Sequence, residues 1–308
     1  MISRRNIRVK VMQTLYTIES TEEIFEPAQA VKLLDKHLDQ SRQLFIYLIY
    51  WITQVARYAE KDARLRSARH LPSAEDLHVN IKIAGNELLL KIIEDPSYQK
   101  AINDLKPWQW ESTELVRKTY SQLTENALYK EYISIPQRNR KSERTILEFI
   151  FTDLMLPNED FVSHIEEFFI HWDDDSEMMN QLMMNFLQKP GTYNLQDMVS
   201  LEKRKFAHEL LVAVMEKKEF CMELIKPKLK NWDPDRIALL DMILMRMGVC
   251  EFLYFETIPT KVTINEYIDL AKEYSTPQSG HFVNGILDNI HKDLLAQDKL
   301  HKISYKKP

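Results

Sequence analysis

Residues Ile258–Ile290 read IPTKVTINEYIDLAKEYSTPQSGHFVNGILDNI and predict two amphipathic helices joined by a compact loop at Ser275–Gly280. Apolar residues of the first helix recur at helical spacing and share one face: Val262, Ile264, Tyr267, Ile268 and Ala271. The second helix carries a similar stripe: Phe282, Val283, Ile286, Leu287 and Ile290. We expect Ser279 to be its N-cap, since a serine hydroxyl can accept from the first free amides of a helix.

Composition extends this helical pattern to the whole chain. The 308 residues include only 5 glycines, while 44% are hydrophobic. Sheets need frequent turns and therefore more glycine, so we predict an all-α fold with a substantial core. The formal net charge of −5 excludes a generally basic nucleic-acid coat. Any contact with RNA must be local.

One further helix, in the segment RIALLDMILMRMGVCEFLYF, is apolar on nearly every side and should be central. We expect Asp233–Pro234 to start it, as an N-cap followed by proline at the first helical position. Arg246 and Glu251 lie inside this segment. Because a buried charge is costly without a partner, each should form an ion pair.

The N-terminal segment SRRNIRVKVMQTLYTIE predicts a basic amphipathic helix capped by Ser3. Arg4, Arg5, Arg8 and Lys10 crowd its first turns, with no acid before Glu19. Cations at a helix N-terminus oppose the macrodipole, and a bound phosphate would relieve this. An ordinary solvated helix end is an equally good interpretation.

Between these ends the pattern is less regular. We expect a helical region from Pro27 to Ala68, one helix over Ser112–Tyr132 and another over Leu195–Lys218. Leu77–Ile83 alternates weakly and could be a strand, although it would have no strand to pair with. Pro190 and Gly191 make Lys189–Gly191 the clearest boundary between helical regions.

No catalytic motif is present, because the chain has neither a phosphate-cradling glycine-rich loop nor a nucleophile elbow. We therefore expect a binding protein rather than an enzyme, with no cofactor and no metal. Cys221 and Cys250 fit no metal spacing and should be small buried hydrophobes. The most apolar run, Leu44–Ile52, is too short to span a membrane. No signal peptide is recognisable either, and we predict a cytoplasmic protein.

Several motifs at the two ends resemble the NusB family of transcription antitermination factors. The C-terminal ones are LMRMGVCEF at Leu244–Phe252, IPTKVTINEYIDLAK at Ile258–Lys272 and SGHFVNGILDNI at Ser279–Ile290. The N-terminal one is RRNIRVKVMQTLY at Arg4–Tyr16. About 180 residues separate the matching ends, so the chain looks like a long form of the family. The resemblance implies NusB-like helical bundles formed by the two chain ends, with an additional helical insertion subdomain.

The expected division follows from this resemblance. Residues 1–20 would be the Arg-rich helix of the NusB-like domain, and 191–297 its C-terminal helical part. Residues 21–190 would be a helical insertion that partly replaces the family's short connecting segment. Residues 298–308 would be a basic tail.

RNA binding is what the resemblance implies about function. Family members pair with a small-subunit ribosomal protein that acts as NusE and bind single-stranded boxA RNA of ribosomal RNA transcripts. RNA polymerase in its elongation complex is then an indirect partner, and no membrane is involved. The implied RNA-binding residues are Arg4, Arg5, Arg8, Gln13, His281, Phe282 and Asn284. The expected protein-partner residues are Tyr16, Glu266, Asp269 and Gln278.

Two alternatives stay open at this point. NusB-like domains also serve RNA recognition in ribosomal RNA cytosine methyltransferases, but no Rossmann-like domain or catalytic Pro-Cys follows here. A helical scaffold that has lost RNA binding is the other alternative. The RNA-binding interpretation requires the helix that starts near Ser279 to lie beside the Arg-rich helix.

Overall fold

The computed structural model describes residues 2–21, 23–229 and 236–303. Every secondary-structure element within those ranges is helical. The predicted all-α fold class is therefore confirmed. Leu77–Ile83, which could have been a strand by its alternation, is instead the end of a short helix followed by irregular backbone and a turn.

The first ten helices run from the N-terminus through the middle of the chain: α1 (Arg4–Glu19), α2 (Pro27–Ser67), α3 (Ala74–Leu77), α4 (Glu87–Glu94), α5 (Pro96–Leu105), α6 (Thr113–Glu125), α7 (Ala127–Ser134), α8 (Arg140–Phe149), α9 (Glu159–Phe168) and α10 (Trp172–Gln188). The others complete the chain: α11 (Leu201–Glu216), α12 (Lys218–Ile225), α13 (Leu239–Tyr254), α14 (Thr260–Tyr274) and α15 (Pro277–Ala296). Short 3₁₀ turns lie at Pro107–Trp110 and Lys226–Lys228, and a π-helical turn at Ile150–Met155.

The helices form two compact units. We call Asp39–Met198 the central unit and Ile2–Leu38 with Val199–Pro308 the terminal unit. Whether the central unit is an insertion into a NusB-like domain stays a prediction. Among the described residues, no helix has the length and apolarity that a bilayer span requires.

An aromatic cluster forms the core of the central unit. Leu44–Ile52 of α2 is buried, as its uniformly apolar sequence predicts. Trp51 packs edge-on against Phe161, with ring centroids 4.9 Å apart. The Tyr47 hydroxyl donates to the carbonyl of Trp110 at 2.6 Å, so the polar atom of this buried ring is satisfied.

Helix α13 lies at the centre of the terminal unit and contacts α1, α11, α12, α14 and α15. Its sequence is apolar on nearly every side, and all of its residues from Ile243 to Phe252 are buried. The two expected ion pairs are present: Arg246 meets Glu19 at 2.6 Å, and Glu251 meets Arg8. Helix α13 is therefore the buried centre against which the other helices of this unit pack.

Two predicted helix boundaries differ from the structure, and a third falls outside the described residues. The helix over Ser112–Tyr132 is interrupted at Asn126, whose side chain accepts from Leu128 N and starts α7. Helix α11 begins at Leu201 rather than Leu195, because Ser200 caps it. Asp233–Pro234 lies outside the described residues, and the described part of α13 begins at Leu239.

The turn between α14 and α15 is shorter than predicted. Thr276, not Ser279, is the N-cap, since its hydroxyl accepts from Ser279 N at 3.1 Å. Pro277 then takes the first helical position, where no amide donor is needed. Ser279 is left inside the first turn of α15 with its hydroxyl free to bond elsewhere.

The buried face of α14 is also shifted from the predicted stripe. Tyr267 and Ala271 are buried as expected, whereas Val262 is 43% exposed. Thr263 is fully buried in its place. A polar residue can occupy this position because its hydroxyl donates to Glu251 at 2.7 Å.

Candidate nucleic-acid interface

A buried ion pair joins the Arg-rich helix to the centre of the terminal unit. Arg8 Nε and Nη2 donate to the two carboxylate oxygens of Glu251, each at 2.9 Å. Thr263 and Tyr267 donate to the same carboxylate at 2.7 and 3.1 Å. Arg8 is 2% exposed and Glu251 is fully buried. All the hydrogen bonds converge on one carboxylate, which makes the pair a structural anchor for α1.

The protonation of Arg8 is fixed by this environment. Burial alone lowers the pKa of its guanidinium, but the hydrogen bond to Glu251 and nearby negative charge raise the pKa above its ordinary value. The pKa of the Tyr267 hydroxyl is raised by burial and by Glu251, so Tyr267 stays a neutral donor. A phosphate could reach Arg8 only if this ion pair opened.

Arg4 and Arg5 differ from Arg8 because both are half-exposed. Arg4 pairs with Glu202 of α11 at 2.5 Å. Arg5 pairs with Glu273 of α14 at 2.8 Å, and its other nitrogen lies 3.9 Å from Asp269. Carboxylates of the chain itself therefore meet the cations of this helix start. Half-exposed pairs of this kind contribute little to stability and can exchange for another anion.

Acidic residues on successive turns of α14 contact the arginines of α1, and the last of these residues lies next to the α14–α15 turn. Arg8 lies 3.4 Å from Glu266, while Arg5 pairs with Glu273 one residue before the end of α14. Asp269 lies within 4.0 Å of the Lys272 amine as well as near Arg5. Lys272 in turn packs over Gly280, where an added Cβ would lie 2.6 Å from Lys272 Cγ.

These contacts refine the expected packing of the two helices. The main neighbours of α1 are α11 and α13, and those of α15 are α13 and α14. The start of α1 and the start of α15 are thus connected through the last turns of α14 rather than by an extensive direct contact. Both lie at the same end of α14, but α15 is not a main packing neighbour of α1, contrary to what the RNA-binding interpretation predicts.

A cavity of about 540 Å³ lies at the first turn of α15. Three of the sequence-predicted residues line it together: Gln278, His281 and Phe282. The Phe282 ring is half-buried, while His281 and Gln278 are exposed. An aromatic side chain on the wall of a cavity of this size could receive a planar group.

A hydrogen-bond network closes the floor of this cavity. The Ser279 hydroxyl donates to Asp241 Oδ2 at 2.8 Å. Ser279 Oγ also lies 2.9 Å from the Thr276 hydroxyl and 3.0 Å from the Ser275 hydroxyl. Asp241 thereby fixes the first turn of α15 against α13.

The other predicted site residues are distributed around this surface. Gln13 is buried in α1, so it faces the core. Tyr16 is 47% exposed. Asn284 and Asp269 are exposed, and Glu266 is half-buried beside Arg8. The assignment of each residue to RNA or to a protein partner stays a prediction.

Sequence reasoning missed Asp241. It is one more charge in the apolar segment that holds Arg246 and Glu251, and the same signal could have identified it. It also missed Arg236, which lines the cavity. Nothing in the pattern indicated that Glu202 and Glu273 would meet the arginines, because those contacts connect residues far apart in the chain.

Together these features define an all-helical domain built around one buried helix, with a largely apolar cavity at a helix start. Residues 167–292 match the NusB family. A transcription antitermination protein NusB of Salinibacter ruber is 44% identical over 99 residues, which cover 32% of this chain and 62% of that relative. The protein of the same name from Methylacidiphilum infernorum is 43% identical over 90 residues, covering 29% and 63%. That from Bacillus licheniformis is 41% identical over 93 residues, covering 30% and 72%.

The chain belongs to the NusB family. The segments matched in the first two relatives cover less than two thirds of each relative. No solved structure matches the chain. The family resemblance is thus confirmed over about 30% of this chain, and the long form with a large insertion stays a prediction.

Proposed function

We propose that this protein is a non-catalytic, RNA-binding transcription antitermination factor. It binds single-stranded boxA-like RNA of ribosomal RNA transcripts together with a NusE-type small-subunit ribosomal protein. The pair acts on the RNA polymerase elongation complex, supporting terminator read-through and ribosomal RNA synthesis. Family membership and the printed names of the relatives support this function.

One observation carries the proposed RNA site. The half-exposed Arg5 and the cavity wall at Phe282 lie at the same end of α14, connected through Asp269 and Lys272. Single-stranded RNA is held by phosphate contacts and by stacking of bases on aromatic side chains. Arg4 and Arg5 supply the first when RNA phosphates displace their carboxylates. Phe282 supplies the second.

Arg8 and Gln13 have a different role in this proposal. Both are buried, and Arg8 is held by Glu251. They position the start of α1, so that Arg4 and Arg5 face the RNA. The exposed carboxylate of Asp269, with Glu266 beside it, suits a basic ribosomal protein, and Tyr16 and Gln278 extend that contact.

Fluorescence anisotropy with a short single-stranded boxA-like RNA tests this function, with and without a NusE-type protein. We expect the parent to bind this strand more tightly than a duplex of the same sequence. Phe282→Ala should weaken binding by ~1–3 kcal/mol, because a stacked base loses its platform. Phe220→Ala is the matched control, since Phe220 is a surface ring on α12 that is 38% exposed.

Two results would contradict the proposal. If the parent binds neither RNA, alone or with the partner, the chain is a scaffold without RNA binding. If a folded Phe282→Ala protein binds the single strand as tightly as the parent does, the cavity is not the base-binding site.

A further inference from the structure

The cations near the C-terminal end of α2, within residues 57–69, divide into paired and unpaired ones. Arg66 Nε lies 2.8 Å from an Asp62 oxygen. Arg69, just beyond the end of the helix, pairs with Asp76 at 2.8 Å. The other three cations of this segment have no ion pair and no side-chain hydrogen bond among the described residues: Arg57, Lys61 and Arg64. The chain holds 46 acidic and 41 basic residues, so a general excess of positive charge does not explain them.

The three unpaired cations line one cavity of about 350 Å³ in the central unit, which we call the basic cavity. Helical spacing places them within about 60° of one another around α2. The other lining residues come from α2 and from the beginning of α6: Gln54, Tyr58, Glu60, Glu111, Thr113 and Val116. Arg66 and Arg69, which have partners, are not among them. The cations that lack a carboxylate are therefore the ones that face this cavity.

These three cations also repel one another. Lys61 lies four residues after Arg57 and three before Arg64, so all three are neighbours on successive turns. Like charges at this spacing destabilise a helix. A bound anion would replace the repulsion by attraction.

The chemistry of these side chains restricts the ligand of the basic cavity. Arginine and lysine side chains only donate hydrogen bonds, so the ligand must offer acceptor oxygens with negative charge. The guanidinium fork matches the geometry of a phosphate group. Arg57 and Arg64 are separated by about 10 Å along the helix axis. Two or more linked phosphates match this row of cations better than a single phosphate does.

The rest of the lining favours a small ligand over a nucleic-acid strand. Single strands are held by stacking on exposed aromatic faces, but Tyr58 in this wall is only 7% exposed. The volume of the basic cavity falls within the range of small-molecule sites. Of its two carboxylates, Glu111 accepts from the Tyr50 hydroxyl. By helical spacing Glu60 lies to one side of the row of cations. The row therefore stays open to an anion.

We propose that Arg57, Lys61 and Arg64 bind the phosphate chain of a small oligophosphate, either inorganic or attached to a nucleoside. This site goes beyond the proposed RNA binding and does not depend on it, because all of its residues belong to the central unit.

Isothermal titration calorimetry with inorganic tripolyphosphate and with adenosine triphosphate tests this inference. We expect the parent to bind at least one of them, and the tighter of the two identifies the source of the phosphate chain. A variant that combines Arg57→Gln, Lys61→Gln and Arg64→Gln should bind it about tenfold more weakly or worse. The matched control combines Arg66→Gln, Arg69→Gln and Lys118→Gln, which removes the same charge from exposed pairs outside the basic cavity. It should keep the affinity of the parent.

A second measurement uses the parent protein and does not depend on the folding of any variant. Lysine side chains are acetylated with an N-hydroxysuccinimide ester, and the extent at each lysine is measured by mass spectrometry. Lys61 and Lys118 are both exposed on the central unit, but only Lys61 lines the basic cavity. We expect tripolyphosphate or adenosine triphosphate to slow acetylation of Lys61 and to leave that of Lys118 unchanged. Equal effects on the two lysines would overturn the inference.

The remaining outcomes separate this inference from the proposed function. If the parent binds neither oligophosphate, or if the triple variant binds as tightly as the parent, the inference is wrong while RNA binding stands. If the parent binds no oligophosphate but the triple variant loses affinity for single-stranded RNA, the basic cavity receives a nucleic-acid strand and the inference is again wrong. If oligophosphate binds as expected but no RNA does, the proposed function fails and this site stands.

Discussion

The guanidinium of Arg8 and the carboxylate of Glu251 form a two-point ion pair across 243 residues of sequence, with both bonds at 2.9 Å. This pair attaches the first helix of the chain to the buried helix α13. Removal of one member would leave the other as an uncompensated buried charge. The N-terminal arginines thus divide into a buried anchor and two half-exposed residues.

We predict that Arg8→Met lowers the free energy of unfolding by ~3–5 kcal/mol. Arg5→Gln is the matched control and should cost no more than about 1 kcal/mol, because its pair with Glu273 is half-exposed. Urea unfolding monitored by circular dichroism measures both. Similar losses for the two variants would show that Arg8 is not the anchor.

Substitution of alanine for two different glycines should change the stability of the protein in opposite directions. At Gly248 of α13, an added Cβ would lie 2.9 Å from Leu287 Cδ2 in the core, so Gly248→Ala should cost ~1–3 kcal/mol. At Gly285 of α15, an added Cβ meets nothing within 4 Å. Gly285→Ala should therefore stabilise the protein by up to about 1 kcal/mol through helix propensity. Thermal unfolding of both variants checks this, and a destabilised Gly285→Ala protein would contradict it.

Lys302 gives a pH-dependent contribution to stability. Its amine donates to the carbonyls of Glu251 and Phe255 at 2.8 and 2.7 Å, which satisfies the end of α13. Burial lowers the pKa of Lys302 from 10.5 to about 8, against the opposing effect of Glu251 and Glu256. Because the folded state favours the neutral amine, this contribution increases as the pH rises from 8 to 10.5. It is lost as the pH falls through about 8.

Comparison of the parent with Lys302→Met at each pH isolates this contribution. As the pH rises from 8 to 10.5, the free energy of unfolding of the parent should increase relative to that of the variant. A difference that is constant or falls over this range would show that the amine is not held in its neutral form.

Much of the fold follows from local pattern. The Ser3 cap indicated where α1 begins. The stripe of α1 and the uniformly apolar α13 indicated which residues are buried, because helical spacing determines which residues share a face. Cys221 and Cys250 are both buried, as expected for small hydrophobes. The boundaries that failed, at Asn126 and Thr276, depend on which of several polar residues takes the cap. Tertiary contacts decide that choice.

The candidate site could be predicted only in part. Periodicity and the family motifs indicated Phe282 and His281 near a helix start, and both line the cavity. The arginine cluster suggested an external anion, yet Glu202, Glu273 and Glu251 meet those charges. Such pairs connect distant parts of the chain. A local pattern shows an unbalanced charge but not its partner.

The central claim is that one surface, from the start of α1 to the first turn of α15, binds single-stranded RNA. Its most direct test is the salt dependence of RNA affinity in a variant that combines Arg4→Gln with Arg5→Gln. The matched control combines Arg117→Gln with Lys118→Gln, which removes the same charge from α6 in the central unit.

We predict that the plot of log affinity against log salt becomes shallower by about 0.7 for each RNA phosphate that the Arg4–Arg5 variant no longer neutralises. The control should keep the slope of the parent. Equal slopes for the parent, the Arg4–Arg5 variant and the control would contradict the account, because the arginines at the start of α1 would then bind no RNA phosphate.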